Sequence, residues 1–417
     1  MRRLYTLLVC LAAPVAFAVI LWRAVRDPAY RPGLVERLGF GPALPGDEAS
    51  TWVHAVSLGE VTAAAPLVRE LMRRRPGTPL VLTCATPTGR AQGAALFGQS
   101  VDIRYLPYDL PGAMRRLIRR IRPQSLLIME TELWPNLFRE CARRGVPIVL
   151  ASARLSEKSV ARYRRCGSLF RELFTRDVVV GAQSAIDAAR FVAIGADPLR
   201  TRVVGNLKFD IDIAAPLQGE GRALRSALFG TRAVWIAGST HEGEEEQVLA
   251  AHDELRQSQA DALLVLVPRH PNRFAAVAAL LMRRGDAYVR RSADLPAAPA
   301  QSVFLLDTTG ELLKFYAAAD VAFVGGSLVP VGGHNLLEPA SLGLPVLTGP
   351  ADANGRQIAI LLTDLGAVQR VGNAHELAAA LDLLLADAGR RSRVGALGRG
   401  AVAANQGSVA RVLEMIT

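Results

Sequence analysis

Short apolar runs alternate with longer amphipathic stretches along the first two hundred residues. Each run has the length of a strand, and most runs are continuously apolar, which is typical of buried parallel strands. The stretches between them, such as residues 61–74, carry their apolar side chains on one helical face. This alternation predicts a parallel sheet with helices on both sides. The runs are Trp52–Val56, Leu80–Thr83, Leu126–Met129, Ile148–Ala151, Val178–Val180 and Val203–Val204.

The same pattern restarts after residue 230, which predicts a second domain of the same α/β class. We expect two Rossmann-like, doubly wound domains, at residues 27–210 and 231–417, joined by a linker at 211–230. Two such domains facing each other would place their strand ends at a shared cleft, where ligands bind. The second series of runs is Val234–Ala237, Leu263–Val267, Val303–Leu306, Val321–Val324 and Val346–Leu347.

The first 26 residues form a separate segment. Residues 4–22 carry no charge and are flanked by arginines, and 19 residues are just long enough to cross a bilayer as a helix. Residues 16–18 also resemble the cleavage site of a secretory signal, and a buried helix is a third alternative. The apolar run continues past residue 18, which favours a membrane anchor or interfacial helix. The basic residues that follow favour a body on the cytoplasmic side.

Charge is distributed unevenly along the 417 residues. Residues 1–210 hold 31 Lys and Arg against 17 Asp and Glu, a net of +14, whereas residues 211–417 hold 18 against 21, a net of −3. The first domain is therefore expected to face an anionic membrane, a phosphorylated substrate or nucleic acid. A solvated basic face in an arginine-rich chain is the alternative.

Composition excludes several classes of protein. Half of the residues are hydrophobic, which excludes a mainly disordered chain. The four cysteines are too few for a disulfide scaffold, and their spacing matches no zinc site. They are predicted to be buried small apolar residues of a reducing compartment, at Cys10, Cys84, Cys141 and Cys166. We expect no cofactor.

Glycine-rich turns follow the strands of the second domain. Residues 324–327 read Val-Gly-Gly-Ser and residues 332–335 read Gly-Gly-His-Asn. Glycines let backbone N–H groups approach a ligand, and Asn335 is a good N-cap for a following helix, whose N-terminus would suit a phosphate. Glu338 could then accept hydrogen bonds from a ribose. A plain strand–turn–helix connection is the alternative.

Two other turns of the second domain carry polar side chains. Arg269 and His270 follow a strand; Arg269 could bind a phosphate or carboxylate in a bidentate manner, whereas His270 is expected to be an ordinary loop histidine. Ser239 and Glu242 have the spacing of a capping box, and a metal cluster among the acidic residues of 242–246 is the alternative.

Carboxylates stand at strand ends in the first domain. Glu60 opens the helix after the first strand, where it could be a general base or a partner of the helix dipole. Glu130 and Glu132 end an apolar strand, which packing alone explains less easily. Lys208 is one of three lysines in the chain, and a compact ammonium could be required there.

Taken together, these motifs resemble the 3-deoxy-D-manno-octulosonic acid (Kdo) transferases of lipopolysaccharide biosynthesis, glycosyltransferase family 30. The resemblance extends over nearly the whole chain, in order. The segments that carry it are Val35–Phe40, His54–Glu60, Leu106–Pro111, Met129–Asn136, Gly205–Asp210, Ser239–Glu244, Val267–Pro271, Phe323–Ser327 and Gly332–Asn335 with Glu338.

The resemblance implies a GT-B glycosyltransferase at the cytoplasmic face of the inner membrane. It implies CMP-Kdo as donor, the lipid A precursor as acceptor, inversion at the anomeric carbon and no bound metal. Glu60 would be the general base, and Glu130 and Lys208 would stabilise the transition state. The CMP-binding positions would be Pro268, Arg269, Thr309, Gly310, Glu311, Asn335, Leu336, Leu337 and Glu338.

Two other functions remain as alternatives. A nucleic-acid-binding protein would explain the basic first half, but no platform of interleaved aromatic and basic residues appears. A GT-B transferase or epimerase that uses another nucleotide sugar is the second alternative. The number of Kdo residues transferred, the acyl preference and the oligomeric state stay open.

Overall fold

In the computed structural model, which describes residues 1–174, 177–211 and 216–416, the chain divides into two compact units. Unit 1 comprises Met1–Asp210 and Asn405–Thr417, and unit 2 comprises Ile211–Ala404. Each unit contains one parallel sheet of seven strands within the described residues.

Unit 1 has the strand order β3-β2-β1-β4-β5-β6-β7, so the direction of winding reverses between β1 and β4. Helices cover both faces of the sheet: Trp52 and Val53, neighbours on β1, are both fully buried and pack into different apolar clusters. The strands are β1 Ser50–His54, β2 Leu80–Cys84, β3 Asp102–Tyr105, β4 Pro123–Met129, β5 Ile148–Ala153, β6 Val178–Ala182 and β7 Thr201–Val203.

The helices of unit 1 follow from their end residues and apolar faces. In the second helix, the Ser57 hydroxyl accepts the Glu60 N–H, buried residues recur from Val61 to Leu71, and two arginines occupy the last turn. The helices are α1 Arg2–Arg26, α2 Leu58–Arg74, α3 Pro87–Phe97, α4 Pro111–Ile121, α5 Pro135–Ala142, α6 Glu157–Arg165, α7 Gly167–Arg171 and α8 Ala185–Ala193.

Unit 2 repeats this design with the strand order β10-β11-β9-β8-β12-β13-β14, and its winding reverses between β8 and β12. Here too, neighbouring residues of the first strand, Trp235 and Ile236, pack into clusters on opposite faces. The strands are β8 Val234–Thr240, β9 Leu263–Pro268, β10 Tyr288–Arg290, β11 Val303–Leu305, β12 Val321–Val324, β13 Val346–Thr348 and β14 Val368–Arg370.

Nine further α-helices follow in the described part of the chain, eight of them in unit 2 and the last in unit 1. They are α9 Leu217–Leu228, α10 Glu245–Leu255, α11 Phe274–Arg284, α12 Leu312–Ala318, α13 Leu337–Ser341, α14 Arg356–Asp364, α15 Ala374–Ala386, α16 Ala388–Asn405 and, in unit 1, α17 Ser408–Leu413.

The expected linker at 211–230 is largely helical instead. Its residues 212–215 lie outside the described residues, but 217–228 form α9, whose buried Leu217 belongs to the apolar cluster of unit 2. A Cβ on Gly221 would lie 2.5 Å from Ala317, so this glycine allows α9 to pack closely on α12.

The expected second domain at 231–417 also needs a correction at its end. The last residues return to unit 1, where Val412 and Leu413 of α17 join the cluster that includes Leu67 of α2. The Asp210 carboxylate accepts the N–H groups of Gly407 and Val409, at 2.6 and 2.5 Å. Apolar burial and this carboxylate together hold the C-terminal segment in place.

We therefore expect Leu413→Ala to destabilise unit 1 by about 2–5 kcal/mol, because it opens a cavity among buried side chains. The matched control is Leu397→Ala on α16, since the Leu397 side chain is 48% exposed and that of Leu413 only 6%. Urea unfolding of both variants measures the difference. A loss at Leu413 no larger than the control's would show that α17 is not integral to unit 1.

Candidate active site

The functional candidates of unit 1 gather where the winding of its sheet reverses. Glu60 lies just after β1, and Glu130 lies just after β4, its neighbour in the sheet. The carboxyl ends of parallel strands at such a reversal are where open α/β sheets bind their ligands. The fold therefore brings together side chains that are 70 residues apart in the sequence.

The Glu60 carboxylate is held in a fixed orientation. Its Oε2 accepts the Val56 N–H at 2.8 Å, and its Oε1 accepts the Ser57 hydroxyl at 3.2 Å. Because Ser57 Oγ in turn accepts the Glu60 N–H, Ser57 and Glu60 cap the helix reciprocally. Burial raises the pKa of Glu60, and the charge of Glu130 raises it further.

Glu130 is the centre of a small ion-pair network. Its Oε1 lies 3.2 Å from Lys208 Nζ, and its Oε2 lies 2.7 Å from Arg154 Nε. Its backbone is left-handed, with φ of +53°, a conformation that costs a non-glycine residue about 1 kcal/mol or more. The sequence places Lys208 on a turn at Leu207–Phe209, where the Asn206 side chain accepts its N–H.

Glu132 completes this acidic cluster. Burial raises the pKa of the Glu132 carboxyl to about 7, with further contributions from the charges of Glu60 and Glu130. Neighbouring carboxylates disfavour simultaneous ionisation, so the Glu132 carboxyl keeps its proton to a higher pH than an ordinary glutamate does. Carboxylates with this property act as acids and bases in enzymes.

Unit 2 presents a second group of polar residues at the carboxyl edge of its sheet. Arg269 follows β9, and neither an ion pair nor a side-chain hydrogen bond engages its guanidinium within the described part of the chain. The Arg269 charge also acts on Glu338. Burial raises the pKa of the Glu338 carboxyl, and the positive charge of Arg269 partly offsets that rise. An unpaired guanidinium of this kind suits an anionic ligand.

The remaining predicted CMP positions have varied surroundings. Pro268, Leu336 and Leu337 are buried, whereas Thr309, Gly310 and Asn335 are exposed. Burial acts to raise the pKa of Glu311. The hydrogen bond from Thr308 and the ion pair with Arg291 outweigh burial, so the pKa lies below its usual value. Glu311 is thus engaged within its own turn.

The turn before α13 differs partly from its prediction. Asn335 Oδ1 accepts the Leu337 N–H at 3.1 Å, and Asn335 Nδ2 donates to Glu338 Oε1 at 3.0 Å. The capping interaction is present, but α13 has only five residues. Its dipole is therefore weak.

The predicted capping box at Ser239 and Glu242 is wrong. Ser239 lies within β8, and α10 begins only at Glu245. The Glu244 carboxylate, which is fully buried, accepts the N–H groups of Gly326, Ser327, Leu328 and His241. It serves the glycine turn after β12 rather than a helix end.

Comparison with known proteins decides the family. The family model described as 3-Deoxy-D-manno-octulosonic-acid transferase (kdotransferase) matches residues 33–211. A 3-deoxy-D-manno-octulosonic acid transferase of Haemophilus influenzae is 38% identical over 100% of this chain and 98% of its own length. The chain belongs to the Kdo transferase family. A transferase of the same description from Bordetella pertussis is 39% identical, again over 100% of this chain and 98% of its own.

Kdo transferases are glycosyltransferases, so the predicted family and enzyme class are confirmed. The crystal structure of UDP-GlcNAc 2-epimerase from Neisseria meningitidis bound to UDP-GlcNAc superposes with a TM-score of 0.56, at 15% identity, over 88% of this chain and 99% of that one. This likeness confirms the predicted GT-B-type fold class of two doubly wound domains.

The sequence of this Kdo transferase did not indicate a role for His241 and His334. These residues are 93 positions apart in the sequence, but their Nε2 atoms are only 2.8 Å apart in the structure. Each follows a strand beside the reversal of the unit 2 sheet, in a turn that contains glycine. Their positions in turns after strands could have marked them as candidates, but the contact between the two rings could not be predicted from residues so far apart in sequence.

The raised pKa of Glu132 predicts a pH-dependent stability. Between the ordinary pKa of 4.5 and the folded value of about 7, the folded protein binds more protons than the unfolded chain, so stability falls as pH rises. Glu132→Gln stays neutral and should match the parent near pH 4.5 but exceed its stability above pH 7.

Urea unfolding at several pH values between 4.5 and 8 measures this effect. Glu48→Gln is the matched control, because Glu48 is an exposed carboxylate of the same unit. If the stability of parent and Glu132→Gln changes in parallel with pH, the Glu132 carboxyl does not titrate as the cluster requires.

Proposed function

We propose that this protein transfers Kdo from CMP-β-Kdo to the lipid A precursor, with inversion at the anomeric carbon and Glu60 as general base. The observation that carries the proposal is the acidic cluster of Glu60, Glu130 and Glu132 with Lys208, at the reversal of the unit 1 sheet. Family membership supports Kdo as the group transferred.

The environment of Glu60 suits a general base. Its raised pKa brings proton affinity closer to neutral pH, where a base is most effective. The hydrogen bonds from Val56 and Ser57 use one acceptor position on each oxygen, and a carboxylate has about four. Enough acceptor capacity remains for the hydroxyl of a sugar.

The proposed reaction balances as a single displacement. The acceptor hydroxyl oxygen forms a bond to the anomeric carbon of Kdo while Glu60 takes its proton. The bond from that carbon to the phosphate oxygen breaks, and CMP leaves with the electron pair. Attack opposite the leaving group converts the β-linked donor into an α-linked product.

Lys208 supplies positive charge to this chemistry. An ammonium stabilises negative charge as it develops, most effectively in a site that excludes water. Glu130 holds Lys208 at 3.2 Å, and Arg154 binds the other carboxylate oxygen. Glu130 therefore orients the cation, which agrees with the transition-state role that the family resemblance implies for both residues.

We assign the donor to unit 2. Arg269 is a free cation for the CMP phosphate, and the predicted positions Pro268, Thr309–Glu311 and Asn335–Glu338 surround strand ends of the same sheet. Leu336 and Leu337 have buried side chains, so only their backbone atoms are suited to a ligand.

We assign the lipid acceptor to unit 1, on charge and on helix α1. The first 210 residues carry a net charge of +14, which attracts an anionic lipid surface. Helix α1 is long and apolar enough to cross a membrane. It exposes a row of large apolar side chains, at Leu4, Leu7, Leu8, Leu11, Val15, Val19, Leu21, Trp22 and Val25.

The contacts of α1 favour an interfacial position for this helix. We assign that position to the cytoplasmic face of the inner membrane, as the family resemblance implies. Tyr5 donates to Asp109 at 2.9 Å, and Thr6 donates to the Asn136 side chain at 2.9 Å. Eleven residues after Tyr5, the Ala16 carbonyl accepts the Tyr108 hydroxyl. A helix attached to its own domain at both places lies along that domain, with its outer face available to lipid.

Glu60→Gln tests the base. Glutamine keeps an acceptor for the Val56 N–H and the size of the side chain, but it cannot take a proton. The turnover number should fall by about 10²–10⁴-fold, while CMP affinity and thermal stability stay close to the parent's. Kdo transfer to the lipid A precursor, followed by mass spectrometry, measures the rate.

A purely structural Glu60 has a different signature. If it only caps α2, Glu60→Gln should retain more than about a tenth of the activity, because glutamine also completes a capping box. The nucleotide alternative is checked in the same preparation: CMP should raise the melting temperature, since a ligand that binds the folded state stabilises it. Stabilisation by UDP instead of CMP would reject the proposed donor.

Exposed leucines of α1 test the membrane assignment. Leu7→Glu with Leu11→Glu should weaken binding to anionic vesicles at least tenfold, since each buried leucine contributes about 1.5–3 kcal/mol. Both side chains are more than half exposed, so folding should be unaffected. Vesicle flotation compares this variant with Leu397→Glu on unit 2. Equal flotation of the parent and the α1 variant would place the membrane contact elsewhere.

A further inference from the structure

Two histidines of unit 2 meet at the reversal of its sheet. His241 follows β8, and His334 lies in the turn after β12, the neighbouring strand. Their Nε2 atoms are 2.8 Å apart, and their ring planes are within 6° of each other. This contact is a hydrogen bond between the two rings, so one ring donates and the other accepts.

The hydrogen bond determines where the pair can take up a proton. With both rings neutral, the donor carries its proton on Nε2, so its Nδ1 is bare, while the acceptor carries its proton on Nδ1. One added proton enters at the bare Nδ1 and leaves both Nδ1 atoms as donors. Within the residues that the structure describes, neither Nδ1 has a protein partner. These atoms are available to a ligand.

The backbone around Gly326 lies against the histidine pair and keeps the two rings in place. Gly326 has φ of +67°, and a Cβ there would lie 2.9 Å from two atoms of the His334 ring. The Glu244 carboxylate accepts the N–H of Gly326 at 2.7 Å and that of His241 at 3.2 Å. One buried carboxylate thus fixes the turns that carry both rings.

The charges that face the pair are mostly positive. Burial, together with the nearby Arg269, His241 and His270, lowers the pKa of His334 to about 4. Burial also lowers the pKa of His241, against the opposite influence of Glu244.

The other charged groups nearby are already engaged. Arg273 pairs with Glu242 and Glu245, and Glu338 accepts a hydrogen bond from Asn335. The Glu244 carboxylate is occupied by backbone N–H groups. Arg269 and the two histidines therefore form a group of donors that lacks an anion.

We propose that the His241–His334 pair is a second anion-binding element of the donor site, which takes up one proton when an anionic oxygen of the donor binds beside Arg269. This inference rests on the assignment of the donor to unit 2. The donor carries two such groups, the phosphate and the Kdo carboxylate. An anion at this position offsets the charge of Arg269 and so favours protonation of the pair.

The first test is proton uptake by the intact protein. Calorimetric titration with CMP and, separately, with CMP-Kdo at pH 7, in buffers of different ionisation enthalpy, should show uptake of up to one proton with at least one of the two ligands. Because uptake accompanies binding, affinity should weaken by up to tenfold per pH unit as pH rises from about 6.5 to 8.5. Most of the CMP phosphate is already doubly ionised in this range.

His334→Gln tests the charge of the pair separately from the hydrogen bond between the two side chains. Glutamine can still hydrogen-bond to His241 but cannot carry the charge, so affinity should fall about ten- to hundredfold, and both the pH dependence and the proton uptake should diminish. His375→Gln is the matched control, since His375 is an exposed histidine of unit 2 that pairs with Glu254. It should behave like the parent.

The two anionic groups give different results. Loss of CMP affinity in His334→Gln, with cytidine affinity unchanged, assigns the pair to the phosphate. Unchanged CMP affinity with a raised, pH-independent KM for CMP-Kdo assigns it to the carboxylate. If neither quantity changes, the proposal is wrong.

Two further measurements distinguish failure of the proposal from misfolding of the variant and from a wrong assignment of the donor. Nitrogen-15 spectra of the parent's histidine rings report protonation of the pair directly, even if the variant does not fold; no change in these signals on adding CMP or CMP-Kdo would overturn the proposal. Arg269→Ala is the positive control. If the parent binds neither CMP nor CMP-Kdo, the donor assignment itself fails, which is distinct from failure of the histidine pair alone.

Discussion

The backbone N–H groups at the carboxyl edges of the two sheets must find acceptors, and the rest of both sites depends on how they do so. A buried N–H without a partner is costly. In unit 1 the Glu60 carboxylate accepts the Val56 N–H, and in unit 2 the Glu244 carboxylate accepts four N–H groups. These side chains shape the turns on which the chemistry is placed. Glu60 is then required both for the turn and for the proposed proton transfer.

Backbone strain lies at the same edges. Glu130, Ser152 and Ser239 have positive φ values between 53° and 60°, each costing about 1–3 kcal/mol. Glu130 binds Lys208, the Ser152 hydroxyl accepts the N–H of the residue before Lys208, and Ser239 precedes His241 by two residues. Among the described residues, three of the five non-glycine positions with positive φ therefore lie beside side chains to which we assign function, and the other two, Arg122 and Asp294, lie elsewhere.

The sequence predicted the central strands and one edge strand, β7, but missed the edge strands β3, β10 and β14. Strands buried on both faces, such as β4 and β9, are continuously apolar and stand out. The edge strands β3 and β14 are short and carry charged residues, so their pattern resembles that of loops. Linear spacing also could not reveal the tight packing at Gly221 or the pairing of His241 with His334. Both depend on residues distant in sequence that only the folded sheet brings together.

The return of the C-terminal segment to unit 1 has a consequence for synthesis. Unit 2 is, in topological terms, an insertion within unit 1, since the chain leaves at residue 210 and comes back at 405. The ribosome makes about 5–20 residues per second, so about 10–40 s separate emergence of the first segment from that of the last. During this interval the apolar surface of α2 and Val204 that α17 covers stays open. A nascent chain of this protein thus presents a binding surface for chaperones that the finished molecule conceals.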